Sequence, residues 1–178
     1  MLTDQELLKV FAWLPYRENW PIDRNQKEDN IENYYGSLIK CLTQSKIFDT
    51  YFSEDGGLGN YLEFICYPFG QHAYDGNAIL VCISLCSPIA AYGQTTLHKT
   101  NNSIGWSFIS PETIGSIGDP RLKSIEKEII KTIEDNNLKL IDKVFAARQL
   151  PSEVIERLKN ENHNAGTQYL HGLFQKTD

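Results

Sequence analysis

The sequence has 178 residues, a formal net charge of −6, 41% apolar residues and 22% charged residues. A chain of this length can bury roughly 70% of the surface that its unfolded form exposes, so one hydrophobic core is expected and intrinsic disorder is excluded. An acidic chain without a cluster of Lys and Arg is not expected to bind nucleic acid, because phosphate contacts need concentrated positive charge. The charge does allow a basic protein partner.

The N-terminus predicts a cytoplasmic protein. It reads MLTDQELLK, with acids where a secretory signal would carry bases and without the apolar core of such a signal. The apolar run 79–85 is also too short for a membrane segment, which needs about 20 residues. The four cysteines are expected to be reduced thiols, because a chain able to bury a full core needs no disulfide framework.

Two amphipathic helices are predicted in residues 1–45. The first begins with a capping box formed by Thr3 and Glu6, and Pro15 is expected to end it. Its apolar face consists of Leu7, Phe11 and Leu14. The second helix is expected over about residues 30–45, on the helical spacing of Ile31, Tyr35, Leu38 and Leu42.

Four strands are predicted in residues 61–110, as an antiparallel meander joined by turns. They are residues 61–67, 79–85, 89–98 and a strand that contains Ile104, Trp106 and Phe108. The second strand is apolar on both faces, which is typical of a central strand covered on both sides. The preceding segment 49–60 is expected to be a loop or turn, because it contains three glycines. It is not expected to bind phosphate, because it lacks the Lys and Ser or Thr of a phosphate-binding loop.

Residues 119–178 predict a helical C-terminal part. Asp119 followed by Pro120 is the preferred order of residues at the start of a helix. The apolar face of that helix consists of Leu122, Ile125, Ile129 and Ile133. Residues 138–145 fit either a short strand or a helix, residues 151–159 fit a last helix, and the apolar residues of 168–175 are expected to dock onto the body.

These elements together predict a single α+β domain over residues 1–178. An antiparallel sheet of four to five strands, with amphipathic helices packed against it, accounts for both the strand pattern and the helical pattern.

A catalytic site is one interpretation of the polar loop 68–77. His72 and Asp75 could orient one another as base and carboxylate, with Cys66 or Cys82 as nucleophile. A hydrogen bond within a turn is the alternative interpretation of His72 and Asp75. Cys82 and Cys86 are not expected to share a metal, because four residues along a strand separate them by about 13 Å. No metal or other cofactor is therefore expected.

Binding surfaces are the other interpretation. The acids expected in exposed loops beside the sheet, and therefore candidates for contact with a basic partner, are Glu54, Asp55 and Asp75.

Aromatic residues offer two further candidates. Trp13, Tyr16 and Trp20 cluster near the first proline and could either anchor a partner or pack against a helix end. A small-ligand pocket could be lined by Tyr67, Tyr92 and Trp106.

Residues 61–175 resemble the small intracellular immunity-type proteins of bacterial toxin systems. The resemblance lies in a strand ending in SPIAAYGQT, a strand reading GWSFISPE, a long amphipathic helix, the segment LKLIDKVFAARQLPSEV and a terminal TQYLHGLF. It implies a nonenzymatic protein that binds and blocks a cognate toxin. No functional residue is carried over, because those families bind through variable surfaces. A small hydrolase or transferase, or a small-ligand module, remains the alternative.

Overall fold

The computed structural model describes residues 2–22, 27–52, 60–71, 76–99, 104–161 and 166–174. Its helices are α1 (Asp4–Phe11), α2 (Lys27–Thr43), α3 (Lys123–Asp135), α4 (Lys143–Ala146), α5 (Ser152–Glu161) and α6 (Tyr169–Leu173). Its strands are β1 (Phe48–Phe52), β2 (Tyr61–Pro68), β3 (Gly76–Ser84), β4 (Ile89–Lys99), β5 (Ile104–Trp106) and β6 (Lys139–Leu140).

The predicted α+β fold is confirmed. The strands form one open sheet in the order β1-β2-β3-β4-β5, and each neighbouring pair in that order is antiparallel. The short strand β6 pairs in parallel with the start of β4. The sheet is therefore a meander with one parallel addition at its β4 side.

Both faces of the sheet are buried, as the two-sided apolar pattern of β3 predicts. Leu80 and Cys82 belong to one core cluster, on the side named face A here, while Ile79, Val81 and Ile83 belong to a second cluster on face B. Residues of α1, α4, α5 and α6 join the face A cluster, and residues of α2 and α3 join the face B cluster. The sheet is thus the middle layer of three, because neither apolar face of β3 could be left in water.

The sheet is strongly coiled toward face A. Four strand spacings of about 4.8 Å would place β1 and β5 roughly 19 Å apart in a flat sheet. The rings of Tyr51 on β1 and Trp106 on β5 nevertheless lie 5.8 Å apart, centroid to centroid. These two aromatic side chains therefore meet over face A and help to cover it.

The ends of the predicted elements need four corrections. The last predicted strand of the meander, β5, ends at Trp106, so Phe108 lies beyond it. The first helix ends at Phe11 and not at Pro15, so Leu14 is exposed and does not belong to its apolar face. Residues 48–52 form strand β1, although 49–60 was expected to be a loop; residues 53–59 lie outside the described residues. Residues 138–145 contain both elements that the sequence left open, since β6 is followed directly by α4.

The C-terminal segment docks onto the body, as predicted. Leu170 and Leu173 of α6 are fully buried in the face A cluster. The Tyr169 ring packs at 5.1 Å from the Phe11 ring of α1. The two ends of the described chain are thus packed together on face A.

Asp119 connects the sheet to α3. It caps the single 3₁₀ turn Pro120–Leu122 that leads into α3, where its Oδ1 accepts the backbone N–H of Arg121 at 3.0 Å. Its Oδ2 accepts the Asn77 Nδ2 of β3 at 3.0 Å and the Arg121 Nη2 at 2.6 Å. These donors, with the Arg121 side chain first, hold the pKa of the Asp119 carboxyl well below its usual range.

No helix among the described residues is long and apolar enough to cross a bilayer.

Truncation in the middle of β3 tests the three-layer core. We expect Leu80→Ala to lower the free energy of unfolding by roughly 2–5 kcal/mol, because Leu80 is fully buried and the change leaves a cavity. The matched control is Val144→Ala on α4, where the side chain is 75% exposed and the cost should stay within about 0.5 kcal/mol. Urea unfolding measures both, and equal losses would contradict the assignment of Leu80 to the core.

The Asp119 contacts predict a pH-dependent contribution to stability. The pKa of Asp119 is lower in the folded state than its unfolded value of about 3.9, so the ionised carboxyl stabilises the fold at pH values above about 3.9. This stabilisation is lost as the pH falls toward the folded-state pKa. Asp119→Asn should therefore lower the urea midpoint at pH 7, and the difference from wild type should shrink below about pH 4. A difference of the same size at pH 7 and pH 2.5 would show that the charge of Asp119 is not responsible.

Candidate functional site

An unusual backbone turn ends α1 and sets the course of the segment that follows. The Leu14 N–H donates to the Lys9 carbonyl at 2.9 Å and the Trp13 N–H donates to the Val10 carbonyl at 2.9 Å, which is the Schellman pattern. Trp13 occupies the left-handed position of this motif with φ 59°, where glycine is the usual residue. The turn directs the chain away from α1 at Trp13, two residues before Pro15.

The segment after Pro15 is fixed to the connection between β3 and β4. The Tyr16 N–H donates to the Cys86 carbonyl at 2.9 Å, and the Trp20 Nε1 donates to the Leu85 carbonyl at 2.7 Å. From α2, the Tyr35 hydroxyl donates to the Ser84 carbonyl at 2.8 Å. Three consecutive carbonyl groups at the end of β3 thus each accept from an aromatic residue of residues 16–35.

Four aromatic rings form a continuous row above this connection. The centroid distances are 5.0 Å from Tyr16 to Trp20, 5.1 Å from Trp20 to Tyr34 and 4.8 Å from Tyr34 to Tyr35, and all three contacts are edge to face. Tyr35 is buried, and burial raises the pKa of its phenol well above the ordinary value, so the hydroxyl remains a donor. Tyr34 is 43% exposed. The row therefore runs from the core to the surface.

An open groove of about 720 Å³ lies between α1 and this segment. It is lined by Thr3, Gln5, Glu6, Lys9, Tyr16, Arg17, Glu18, Asn19 and Trp20. We call this the aromatic groove. Its size falls within the range of about 300–1,000 Å³ that is common for ligand sites, and it combines two rings with two acidic and two basic side chains.

Two of the four charges that line the aromatic groove, those of Glu6 and Arg17, are held in place by local contacts. The Arg17 Nε donates to the Glu6 Oε1 at 3.0 Å, and the Arg17 guanidinium lies 4.9 Å from the centroid of the Tyr16 ring. Glu6 also completes the predicted capping box with Thr3. The Thr3 N–H and the Arg17 side chain lower the pKa of the Glu6 carboxyl, so Glu6 is ionised at neutral pH.

The predicted catalytic residues are only partly covered by the structure. His72 and Asp75 lie outside the described residues. Cys66 and Cys82 are both buried, and they lie on opposite faces of the sheet, Cys66 on face B and Cys82 on face A. Burial raises the pKa of the Cys66 thiol to about 12, which opposes formation of a nucleophilic thiolate. The catalytic interpretation stays a prediction, with Cys82 and Cys66 on different sides of the sheet.

The three predicted acidic contacts also lie outside the described residues. Glu54 and Asp55 fall in residues 53–59 and Asp75 falls in residues 72–75. A partner surface formed by these acids stays a prediction.

The small-ligand pocket expected from Tyr67, Tyr92 and Trp106 is divided by the sheet. Tyr67 and Trp106 pack against the face A cluster. Tyr92 belongs to face B, where its hydroxyl donates to the Glu126 Oε1 of α3 at 3.1 Å. These three residues therefore do not line one cavity.

The described residues contain no group of three or more His, Cys, Asp or Glu residues that could hold a metal ion.

Two residues of the site were missed by the sequence analysis. Of the predicted cluster, Tyr16 and Trp20 do pack against each other, but Tyr34 and Arg17 were not singled out. Tyr34 and Tyr35 are adjacent on α2, and neighbours on a helix point about 100° apart, so one of the two must turn away from the core. The adjacent tyrosines Tyr34 and Tyr35 were therefore the feature of the sequence that could have predicted an exposed aromatic ring on α2.

Comparison of the chain with protein-family models, with curated proteins and with solved structures finds no match.

Thiol accessibility tests the placement of the cysteines. Cys41 is exposed, whereas Cys66, Cys82 and Cys86 are buried. We expect a thiol reagent at pH 8 to modify one cysteine rapidly in the native protein and all four after denaturation, because buried thiols are shielded and Cys66 also resists ionisation. Cys41→Ser should abolish the rapid phase. A rapid phase that persists in this variant would contradict the burial of the other three.

Proposed function

We propose that this chain is a non-enzymatic cytoplasmic binding protein of immunity type, which binds a cognate protein toxin and neutralises it. The observation that supports the proposal is the aromatic groove with the adjoining ring row, which runs from the buried Tyr35 to the exposed Tyr34 and on to Trp20 and Tyr16. The proposal also rests on the resemblance of residues 61–175 to immunity-type proteins, which the comparisons neither support nor oppose.

The composition of the groove suits a protein partner. Tyr, Trp and Arg are the residues most enriched among those that dominate protein interfaces. Tyr16, Trp20 and Arg17 line the groove, and Tyr34 packs beside it on Trp20, so these types come together there. Each ring offers a large apolar area with few rotatable bonds, so little conformational entropy is lost when a partner packs on it. The open shape admits a loop or helix of another protein.

The ring row is held rigidly before any partner arrives. Its Trp20 indole and its Tyr35 hydroxyl are each bonded to a main-chain carbonyl of the β3–β4 connection. Preorganisation of this kind reduces the entropic cost of association and so favours tight binding. Tight binding is what neutralisation of a toxin requires.

Charge favours a basic partner. The net charge of −6 attracts a basic protein and raises its rate of encounter. The predicted acidic contacts Glu54, Asp55 and Asp75 would add to this attraction.

A rescue experiment tests the function. Each open reading frame next to the gene is expressed in a sensitive host, with and without this protein. The proposal expects one neighbour to be toxic, to be rescued by this protein and to remain bound to it through gel filtration. If no neighbour is toxic, or if none is rescued, the immunity proposal is wrong.

Substitutions in the aromatic groove and at the adjoining Tyr34 test where the partner binds. We expect Arg17→Ala and Tyr34→Ala each to weaken the complex by roughly 30-fold, the effect of losing an interface hot spot. Arg121→Ala is the matched control for arginine, since Arg121 is also ion-paired and its side chain is 65% exposed against 66% for Arg17. Tyr51→Ala is the control for tyrosine, at 38% exposure against 43% for Tyr34.

Titration calorimetry with the rescued toxin measures all four variants, and melting temperatures confirm that each is folded. If the host is rescued but Arg17→Ala and Tyr34→Ala both leave the affinity unchanged, the immunity function is supported and the partner binds somewhere other than the groove.

A further inference from the structure

A second groove lies at the outer edge of β4, away from the aromatic groove. Along this edge β5 pairs with Leu97, an isolated bridge joins Ile114 to Gly93, and β6 pairs with the start of the strand. Between Gly93 and Leu97, residues 107–118 arch over the edge and leave an open groove of about 400 Å³. We call it the edge groove.

The lining of the edge groove is polar but uncharged. It consists of six Ser and Thr side chains, the Gln94 amide, the Phe108 ring and one glycine. None of the described residues that line it is charged. Such a lining offers hydrogen bonds in both directions, since a hydroxyl both donates and accepts, and it offers no partner for the charge of an ion.

The Gln94 side chain is held in one orientation, and the N–H donors of its Nε2 are available to a ligand. Its Oε1 accepts the backbone N–H of Gly118 at 2.8 Å and that of Asp119 at 3.0 Å. Its Nε2 makes no hydrogen bond to any other described residue. The amide plane is therefore held in position while two N–H donors remain for a ligand.

Two hydroxyls and one ring complete the set of available groups. The Ser107 and Ser116 hydroxyls make no hydrogen bond within the described part of the chain, while the Ser107 carbonyl already accepts the Thr95 hydroxyl at 2.7 Å. Phe108 is 38% exposed, and it touches the Tyr61 ring only by an edge contact at 6.1 Å. An exposed aromatic ring beside hydroxyl and amide groups can pack on the apolar C–H face of a sugar ring.

The groove is formed before a ligand binds. A Cβ on Gly93 would lie 2.9 Å from the Thr113 carbonyl oxygen, so the arch can approach β4 only because this residue is glycine. The Gly115 N–H then donates to the Tyr92 carbonyl at 2.8 Å. The arch is thus attached to β4 on both sides of the groove, through Thr95 at one end and Tyr92 at the other.

We propose that the edge groove binds a neutral pyranose, either as a free sugar or as the terminal residue of a glycan. The fixed Gln94 amide and the Ser107 and Ser116 hydroxyls bond to the sugar hydroxyls, and the Phe108 ring packs against the sugar C–H groups. Charged sugars are disfavoured, because the groove would remove water from an ionic group without replacing it by an opposite charge.

The test is an NMR titration of the ¹⁵N-labelled full-length protein, followed at the Gln94 side-chain amide. The probes are the methyl glycosides of glucose, galactose, mannose and N-acetylglucosamine, with glucose 6-phosphate and trialanine as comparisons. An open groove with few contacts predicts a dissociation constant on the order of 1–10 mM, so titration reaches about 50 mM. A trisaccharide that ends in the best sugar distinguishes the two sources. If the ligand is the end of a glycan, the trisaccharide should bind more tightly than the methyl glycoside; if it is a free sugar, the two should bind equally well.

Variants assign the contacts. Gln94→Glu still accepts the two backbone N–H groups but loses the donors, and Phe108→Ala removes the ring; each should weaken binding by about tenfold or more. Phe69→Ala, at an exposed phenylalanine just after β2, and Gln44→Glu, at an exposed glutamine just after α2, are the matched controls and should leave binding unchanged. Melting temperatures establish that all the variants are folded.

Three results would overturn the proposal. They are no shift of the Gln94 amide with any neutral sugar, a shift with trialanine or glucose 6-phosphate alone, and sugar binding that Gln94→Glu and Phe108→Ala both leave unchanged.

Discussion

The burial of β3 on both faces is the constraint on which the rest of the structure depends. Ile79, Val81 and Ile83 face one way and Leu80 and Cys82 face the other, and all five are inaccessible to water. Each face needs its own cover, so α2 and α3 are placed on one side and α1 and α4–α6 on the other. The covering helices come from both ends of the chain. The sheet therefore cannot keep both of its faces dry without the N-terminal and the C-terminal segments.

Hydrogen bonds at the end of β3 connect the buried core to the aromatic residues at the surface. The carbonyls of Ser84, Leu85 and Cys86 lie where the strand leaves the core, and each accepts a hydrogen bond from the aromatic-rich segments 16–20 and 35. Buried or half-buried carbonyls need such partners, because an unpaired one would cost roughly 1–3 kcal/mol. The same bonds that satisfy the strand end therefore position the ring row, which makes the aromatic groove a direct extension of the core.

Local periodicity was enough to predict the faces of the sheet but not its edges. The apolar residues at both odd and even positions of 79–85 predicted a strand buried on both faces, since a strand has a period of two. Strand β1 was missed because its sequence FDTYF carries Asp49 and runs into a glycine-rich segment. The parallel pairing of β6 with β4 and the contact of Trp20 with Tyr34 join residues that are distant in sequence, and no local pattern encodes such contacts. The stop of α1 at Phe11 was missed because a tryptophan occupies a position that glycine normally marks.

The two grooves differ in what they can recognise, and the difference follows from charge. Two acids and two bases line the aromatic groove. Glu6 and Arg17 pair with each other, but burying the charges of Lys9 and Glu18 is costly unless a ligand supplies matching charges. A protein surface can do this, whereas a small neutral molecule cannot. The edge groove presents hydroxyls, an amide and one ring, which a small polyol can satisfy without any ionic partner. A ligand suited to one groove would leave polar groups of the other desolvated and unpaired, so the two proposals call for different classes of ligand.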